Sequence, residues 1–330
     1  MIRIGVGLGD RNGIGPELVA RLLADSSVFE RAQIVVVGDP AVAEFGRRAT
    51  GLSPAGEPRI VAQTKWTSEP IGSGKVSAAA GAEALDQLAT LLDLATNGEI
   101  DGIVFAPLNK QAMRMGGLAK GDELDFMVEH LGFHGICGEL NVLGNLWTSR
   151  VTSHVALRDV ASLITPESLR DAIALAHSSL RAALGREPRI AVAGLNPHAS
   201  DGGTYGDEEG RVIAPAIERA QREGIDAKGP FPPDTVFVSA MNGDYDAVVT
   251  MYHDQGQIAM KLLKFGSGVT VHGGLPVPVT TVGHGTAYDI VGKGIARADG
   301  LFEAFRICCE MAARPSHSAP SGAPLGVTPR

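Results

Sequence analysis

Short apolar runs alternate along the chain with longer stretches in which apolar residues recur at helical spacing. The runs Ile2 to Val6, Ile34 to Val37, Gly102 to Phe105, Val151 to Val155, Ile190 to Ala193 and Ala247 to Met251 read as strands. The stretch Thr165 to Leu184 predicts a helix. Thr165 supplies an N-cap oxygen, Pro166 takes the first helical position, and Leu169, Ile173, Ala176 and Leu180 fall on one face. Strands and helices in alternation predict an α/β fold, with a largely parallel sheet covered on both sides. Ligands of such sheets gather beyond the carboxyl ends of the strands. Residues Arg314 to Arg330 are rich in Pro, Ser and Gly and poor in apolar residues, so disorder is expected there.

Composition narrows the class. The 330 residues, 44% of them apolar, suffice for one large or two medium domains, and the 42 glycines suit the many tight turns of an α/β enzyme. The formal charge is −8 and no basic stripe is present, which argues against a nucleic-acid partner. No apolar run is long enough to span a bilayer, and the N-terminus reads as a first strand rather than a signal peptide. Cys308 and Cys309 are adjacent, a spacing that rarely pairs, and no metal spacing links them to Cys137. A reduced, cytoplasmic location is the expectation.

Several segments carry potential chemistry. Gly9-Asp10-Arg11-Asn12-Gly13-Ile14-Gly15-Pro16-Glu17 follows the first strand and opens a helix. It matches neither the dinucleotide fingerprint nor a P-loop, and read alone it is also accounted for as a strand-to-helix turn. His154, His198 and His253 each sit at or just past the carboxyl end of an apolar run. Three imidazoles would leave a metal position open for substrate, although three locally bonded histidines explain the pattern as well. His130, His134 and Cys137 imitate a metal face, but Gly132 interrupts the helix. His177 falls within the helix after Thr165 as a surface or packing residue. Gly283-His284-Gly285-Thr286-Ala287-Tyr288-Asp289-Ile290 is a glycine-flanked turn whose amides could approach a nucleotide; a plain loop is the alternative.

Taken together, these segments resemble the 4-hydroxythreonine-4-phosphate dehydrogenase family from Ile4 to about Phe305. The carriers are Gly9 to Glu17, Ala106 to Lys110, Val151 to His154, Leu157 to Asp159, Gly194 to His198, Gly229 to Thr235, Tyr245 to Gly256 and Gly283 to Gly294. The resemblance implies two α/β/α domains with a cleft between them, as in isocitrate and isopropylmalate dehydrogenases. Residues 1–130 with 285–312 would form the first domain. Residues 131–284 would form the second, with the metal and dimer contacts, and 313–330 a tail. It implies a homodimer whose active site is shared across the interface. His154, His198 and His253 would hold one divalent metal, zinc for preference, with one ligand from the neighbouring subunit. NAD would bind at His284, Gly285, Thr286 and Asp289. Asp234 and Asp254 are candidates for orienting ligands or relaying protons, with a purely structural role as the alternative for each, and Lys110 and Lys261 are candidates for pairing with substrate carboxylates.

Departures from the family shift the expected substrate. Where the family has Gly-His-Thr-Glu, this chain has Gly121-Asp122-Glu123-Leu124-Asp125-Phe126; Thr270 stands at a phosphate-binding Asn and Val279 at a phosphate-binding Arg. Losing that Arg removes the strongest phosphate donor, and added carboxylates would repel a dianion. The expected activity is therefore oxidative decarboxylation of an unphosphorylated carboxylated cis-dihydrodiol in aromatic catabolism, terephthalate 1,2-cis-dihydrodiol first. A dehydrogenase of a phosphorylated four-carbon hydroxy acid is the alternative. A catalytically dead regulator that binds metal or nucleotide is the reading from another class.

Overall fold

The structure, a computed structural model, describes residues 1–66, 68–263 and 268–314. In chain order its strands are β1 (Ile2–Gly7), β2 (Ala32–Gly38), β3 (Arg59–Ala62), β4 (Gly102–Phe105), β5 (Gly138–Leu143), β6 (Leu146–Arg150), β7 (Ile190–Ala193), β8 (Ala227–Phe231), β9 (Ala247–Thr250), β10 (Val269–Gly273) and β11 (Val279–Val282). The fold is mixed α/β. The chain divides into two compact units, the first built from Met1–His134, Val269–Val271 and Leu275–Ala313, the second, among the described residues, from Gly135–Gly268, His272–Gly274 and Arg314.

In the first unit the strand order is β3-β2-β1-β4-β11-β10, parallel except for the antiparallel pair β10/β11. All four residues of β4 and of β11 are buried, as expected of strands covered on both faces. The helix Ala78–Thr96 lies in this unit. Its N-cap, Ser77, accepts from the Ala80 amide, and its buried face runs through Ala84, Leu88, Leu91 and Leu92.

In the second unit the order is β5-β6-β9-β7-β8, with only β5/β6 antiparallel. The predicted helix forms over Pro166–Leu184. Thr165 and Ser168 cap it reciprocally, Leu169, Ile173, Ala176 and Leu180 are buried, and Gly185 ends it with φ of 70°. His177 pairs with Glu187 at 2.7 Å on the surface.

Two expectations need correction. The apolar run Val151 to Val155 is not a strand: β6 ends at Arg150, and His154 adopts φ of 54°, which breaks extended backbone. Strands β3, β5, β8, β10 and β11 were not anticipated as strands; β3, β5 and β8 carry partly exposed or Gly- and Pro-containing sequences that hide the apolar pattern. His130 and His134 do not share one helix. The helix Glu123–Leu131 ends at Gly132 in the left-handed region, and His130 bonds Asp93 at 2.8 Å. The expected disordered tail lies outside the described residues beyond Arg314. No described helix is long and apolar enough to cross a membrane.

Candidate active site

In the second unit β9 lies between β6 and β7, and all three are parallel, so the chain leaves them at one end of the sheet. The connection after β6 leads to His154, that after β9 to His253, and that after β7 to His198. Sequence-distant histidines thus stand on neighbouring loops at the end where α/β sheets bind ligands. The rings of His154 and His253 stand side by side, with centroids 5.4 Å apart. His198 faces Tyr205 instead, at 6.3 Å between ring centroids. Among the described residues, no group of three His, Cys, Asp or Glu side chains is placed to hold a metal ion. One chain therefore presents a pair of imidazoles. A pair suits two coordination positions of a zinc-type ion and leaves the third ligand to come from elsewhere.

The backbone under these histidines is strained. Six described non-glycine residues have positive φ, and five of them are His154, His198, Ala199, Ser200 and Asp201. Left-handed backbone costs such residues on the order of 1 kcal/mol each and clusters at functional sites. Specific bonds hold it. Thr152 donates from its amide and its hydroxyl to the Met251 carbonyl at 3.1 and 2.9 Å. Gln255 accepts from the Met251 amide at 2.7 Å and donates to the Gly194 carbonyl at 2.9 Å, joining the loops of His253 and His198. The buried Glu209 accepts from the Leu195 amide at 2.8 Å, the Asn196 amide at 2.7 Å and the Asn196 side chain at 2.9 Å. It opens a π-helical turn, Glu209–Ile213, a distortion common at functional sites. His253 begins the helix His253–Leu263, and its Nδ1 lies 2.7 Å from Asp254 Oδ1, which orients the ring. Glu209 and Gln255 were missed as site residues. Gln255 lies inside the singled-out segment Tyr245 to Gly256, but nothing in a sequence shows that its amide bridges two loops.

The remaining nominated residues of this unit are more dispersed. Asp234 is exposed in the turn after β8, the strand beside β7. Lys261 is exposed on the helix that starts at His253, roughly 12 Å further along its axis at 1.5 Å per residue.

In the first unit, the loop after β11 and the loop after β1 form one structure. The Ile14 amide donates to the Thr286 carbonyl at 3.0 Å, and the Tyr288 hydroxyl donates to Asp10 Oδ2 at 2.6 Å. A Cβ at Gly13 would sit 2.8 Å from the Thr286 Cβ, so only glycine permits this approach. Burial pushes the Asp10 carboxyl up, against the lowering effect of the Tyr288 hydroxyl. Burial, with the bond to Asp10, pushes the Tyr288 hydroxyl up too, which keeps the proton on tyrosine as the donor. Thr286 is buried; His284 and Asp289 open to solvent, with His284 Nδ1 3.0 Å from the Gly285 carbonyl. Arg11 does not face a ligand. It is buried, 2.7 Å from Glu83, and donates to the carbonyls of Trp66, Glu69 and Pro70 at 2.9 to 3.1 Å.

The residues behind the substrate expectation also lie in this unit. Val279 is fully buried in β11, in register with Ile103 of β4, so it offers no apolar surface to a ring. Thr270 lies on β10, in register with Thr281. Asp122 and Asp125 form a capping box at the start of the helix Glu123–Leu131. Lys110 lies 3.7 Å from Asp122 and 3.6 Å from Glu123, which balance its charge.

Comparison with known proteins gives the chain's kinship. Residues 22–308 match the family described as the pyridoxal phosphate biosynthetic protein PdxA. A Pseudomonas aeruginosa protein named, provisionally, as a second 4-hydroxythreonine-4-phosphate dehydrogenase is 47% identical, over 94% of this chain and 96% of its own. A 4-hydroxythreonine-4-phosphate dehydrogenase of Desulfosudis oleivorans is 40% identical with the same coverage. The D-threonate 4-phosphate dehydrogenase of Bordetella bronchiseptica is 39% identical over 94% and 92%. Among solved structures, the Klebsiella pneumoniae 4-hydroxythreonine-4-phosphate dehydrogenase superposes with a TM-score of 0.81 at 33% identity, covering 94% of this chain and 98% of that one. The terephthalate 1,2-cis-dihydrodiol dehydrogenase of Burkholderia xenovorans has the same coverage but a TM-score of 0.68 and 26% identity. These relations overturn the expected dihydrodiol substrate and the aromatic-catabolic role. The structure supplies the reason the expectation failed: two of the added carboxylates cap a helix, the third pairs with Lys110, and the valine is core. The chain belongs to the PdxA family of dehydrogenases.

Proposed function

We propose that this chain is an NAD-linked, divalent-metal-dependent dehydrogenase of a phosphorylated four-carbon hydroxy acid. 4-Hydroxythreonine 4-phosphate and D-threonate 4-phosphate, for which its relatives are named, are the two substrates to test. The observation that carries the reading is the His154–His253 pair on strained backbone at the ends of adjacent parallel strands, in a chain of this family. His154 and His253 would hold the metal, zinc for preference, together with His198 of a second copy. When bound, the metal lowers the pKa of the substrate alcohol and NAD accepts the hydride. The chain's own part is positional. Asp254 fixes the His253 ring, while Thr152, Gln255 and Glu209 fix the loops. The segment His284–Asp289 takes the adenosine end of NAD. Lys261 is the proposed cation for the substrate phosphate, and Asp234 the proposed proton relay. An alcohol β to a carboxylate yields a ketone in the same relation, and CO2 is then lost.

The same unit supports a homodimer. Val238 and Met241 on the helix Val236–Met241, with Ile258 and Leu262 on the helix of His253, are 52% to 82% exposed. The opposite faces of both helices, Val236, Phe237, Ala240 and Met260, share one core cluster. A second copy covering these apolar residues would sit against the helix that begins at His253. Chelation followed by add-back tests the metal reading. Dialysis against a strong chelator is expected to abolish NADH formation from the phosphorylated acid, and zinc or another divalent ion to restore it. Full activity of demonstrably metal-free protein would overturn the reading.

A further inference from the structure

We infer that Glu17 is a positioning residue for the dinucleotide, fixing the loop that follows the proposed adenosine segment. The inference rests on the reading that His284–Asp289 binds NAD. Glu17 lies in the first turn of the helix Gly15–Leu23 and is fully buried. A carboxylate there ordinarily serves the free amides of its own helix. This one reaches across instead: one oxygen accepts from the Gly292 amide at 2.6 Å and the other from the Gly294 amide at 3.0 Å. A buried carboxylate is costly unless its oxygens are bonded, and here both are committed to one turn of another loop.

That turn depends on the bond. Gly292 and Gly294 have φ of 76° and 63°, and a Cβ at Gly294 would sit 2.2 Å from the Ala49 carbonyl oxygen. Arg21, one helical turn after Glu17 on the same face, donates to the Gly294 carbonyl. At its other end the loop is held by the bond from the Ile14 amide to the Thr286 carbonyl and by the bond between Asp10 and Tyr288. The strained Ala287, with φ of 43°, sits within the first of these fastenings, and the exposed Asp289 lies between the two. The segment from Asp10 to Arg21 is thus the template on which the loop from Thr286 to Gly294 is laid. Among the described residues, Glu17 is the one side chain that binds two of the loop's amides.

Glu17→Gln keeps the volume but turns an N–H toward an amide N–H. We expect the NAD dissociation constant, read by calorimetry on the intact protein, to rise about tenfold or more. At saturating NAD, kcat should stay within about twofold of the parent and the KM for the acid should not move. Amide exchange at Gly292 and Gly294 should accelerate. Asp289→Ala serves as the control for the underlying reading. If Asp289→Ala leaves NAD affinity intact, the loop is not the nucleotide site. If Asp289→Ala weakens NAD and Glu17→Gln does not, the inference about Glu17 is overturned. Glu17→Asp, charged but shorter, is the second variant. A uniform loss of melting temperature, kcat and both KM values in both variants would make Glu17 a folding residue and overturn the inference as well.

Discussion

Arg11 shows how a residue's type can mislead and its surroundings correct it. An arginine in a glycine-rich turn after a first strand suggests an anion ligand, yet its guanidinium is buried against Glu83, with Asp39 at 3.7 Å, and ties down three carbonyls. Glu83 is fully buried, and this pushes its carboxyl up from the usual range to about 7, against the pull of Arg11. The sign of the consequence follows. A carboxyl whose folded pKa exceeds its unfolded value binds its proton more tightly in the folded state, so its contribution is complete below about pH 4.5 and declines until about pH 7. Across that window the loss amounts to about 3 kcal/mol at most. Glu83→Gln, an uncharged acceptor of the same shape, should flatten the fall in melting temperature between pH 5 and 7. An unchanged slope in the variant would remove Glu83 as its source.

At the scale of elements, legibility followed burial only in part, since β10 and β11 are largely buried and were not read as strands. Strands β1, β2, β4, β7 and β9 are buried over most of their length and stood out as apolar runs, and the helix Pro166–Leu184 carried its N-cap in sequence. Strand β3 is mostly exposed, and β8 reads Ala-Lys-Gly-Pro-Phe, so neither shows a strand pattern. The error at Val151 to Val155 has a different origin. Those residues are apolar enough for a strand, but the bonds from Thr152 to Met251 and the turn at His154 draw the chain out of the sheet. The three histidines stand out in sequence because each follows an apolar run, and the strand order puts their loops at one end of the sheet; their reading as one metal site rests on the resemblance. Glu17, Glu209 and Gln255 were not, because each acts on backbone groups of a segment distant in sequence or facing it across a loop. The phosphate-site substitutions were read correctly as residues and wrongly as surroundings, since whether Val279 meets a ligand or a core depends on the fold.

For the whole molecule, the central point is that one chain brings together two of the three histidines. If the third ligand is His198 of a second copy, His154→Ala and His198→Ala chains should complement each other. Each mixed dimer would hold one intact site and one doubly defective site. Random exchange of a 1:1 mixture would then restore about a quarter of the parent activity. His154→Ala mixed with His253→Ala should restore none, because both residues belong to the same chain's pair. Recovery in the second mixture, or none in the first, would refute this sharing.

The most direct test of the account is a side-by-side measurement of NADH formation by the metal-loaded protein. 4-Hydroxythreonine 4-phosphate, D-threonate 4-phosphate, their dephosphorylated forms and terephthalate 1,2-cis-dihydrodiol would be compared at equal concentrations, with released CO2 recorded in the same vessel. The account predicts turnover of at least one phosphorylated acid, with CO2 matching NADH, and a large loss on removing the phosphate. Turnover of the dihydrodiol with none of either phosphorylated acid would contradict it.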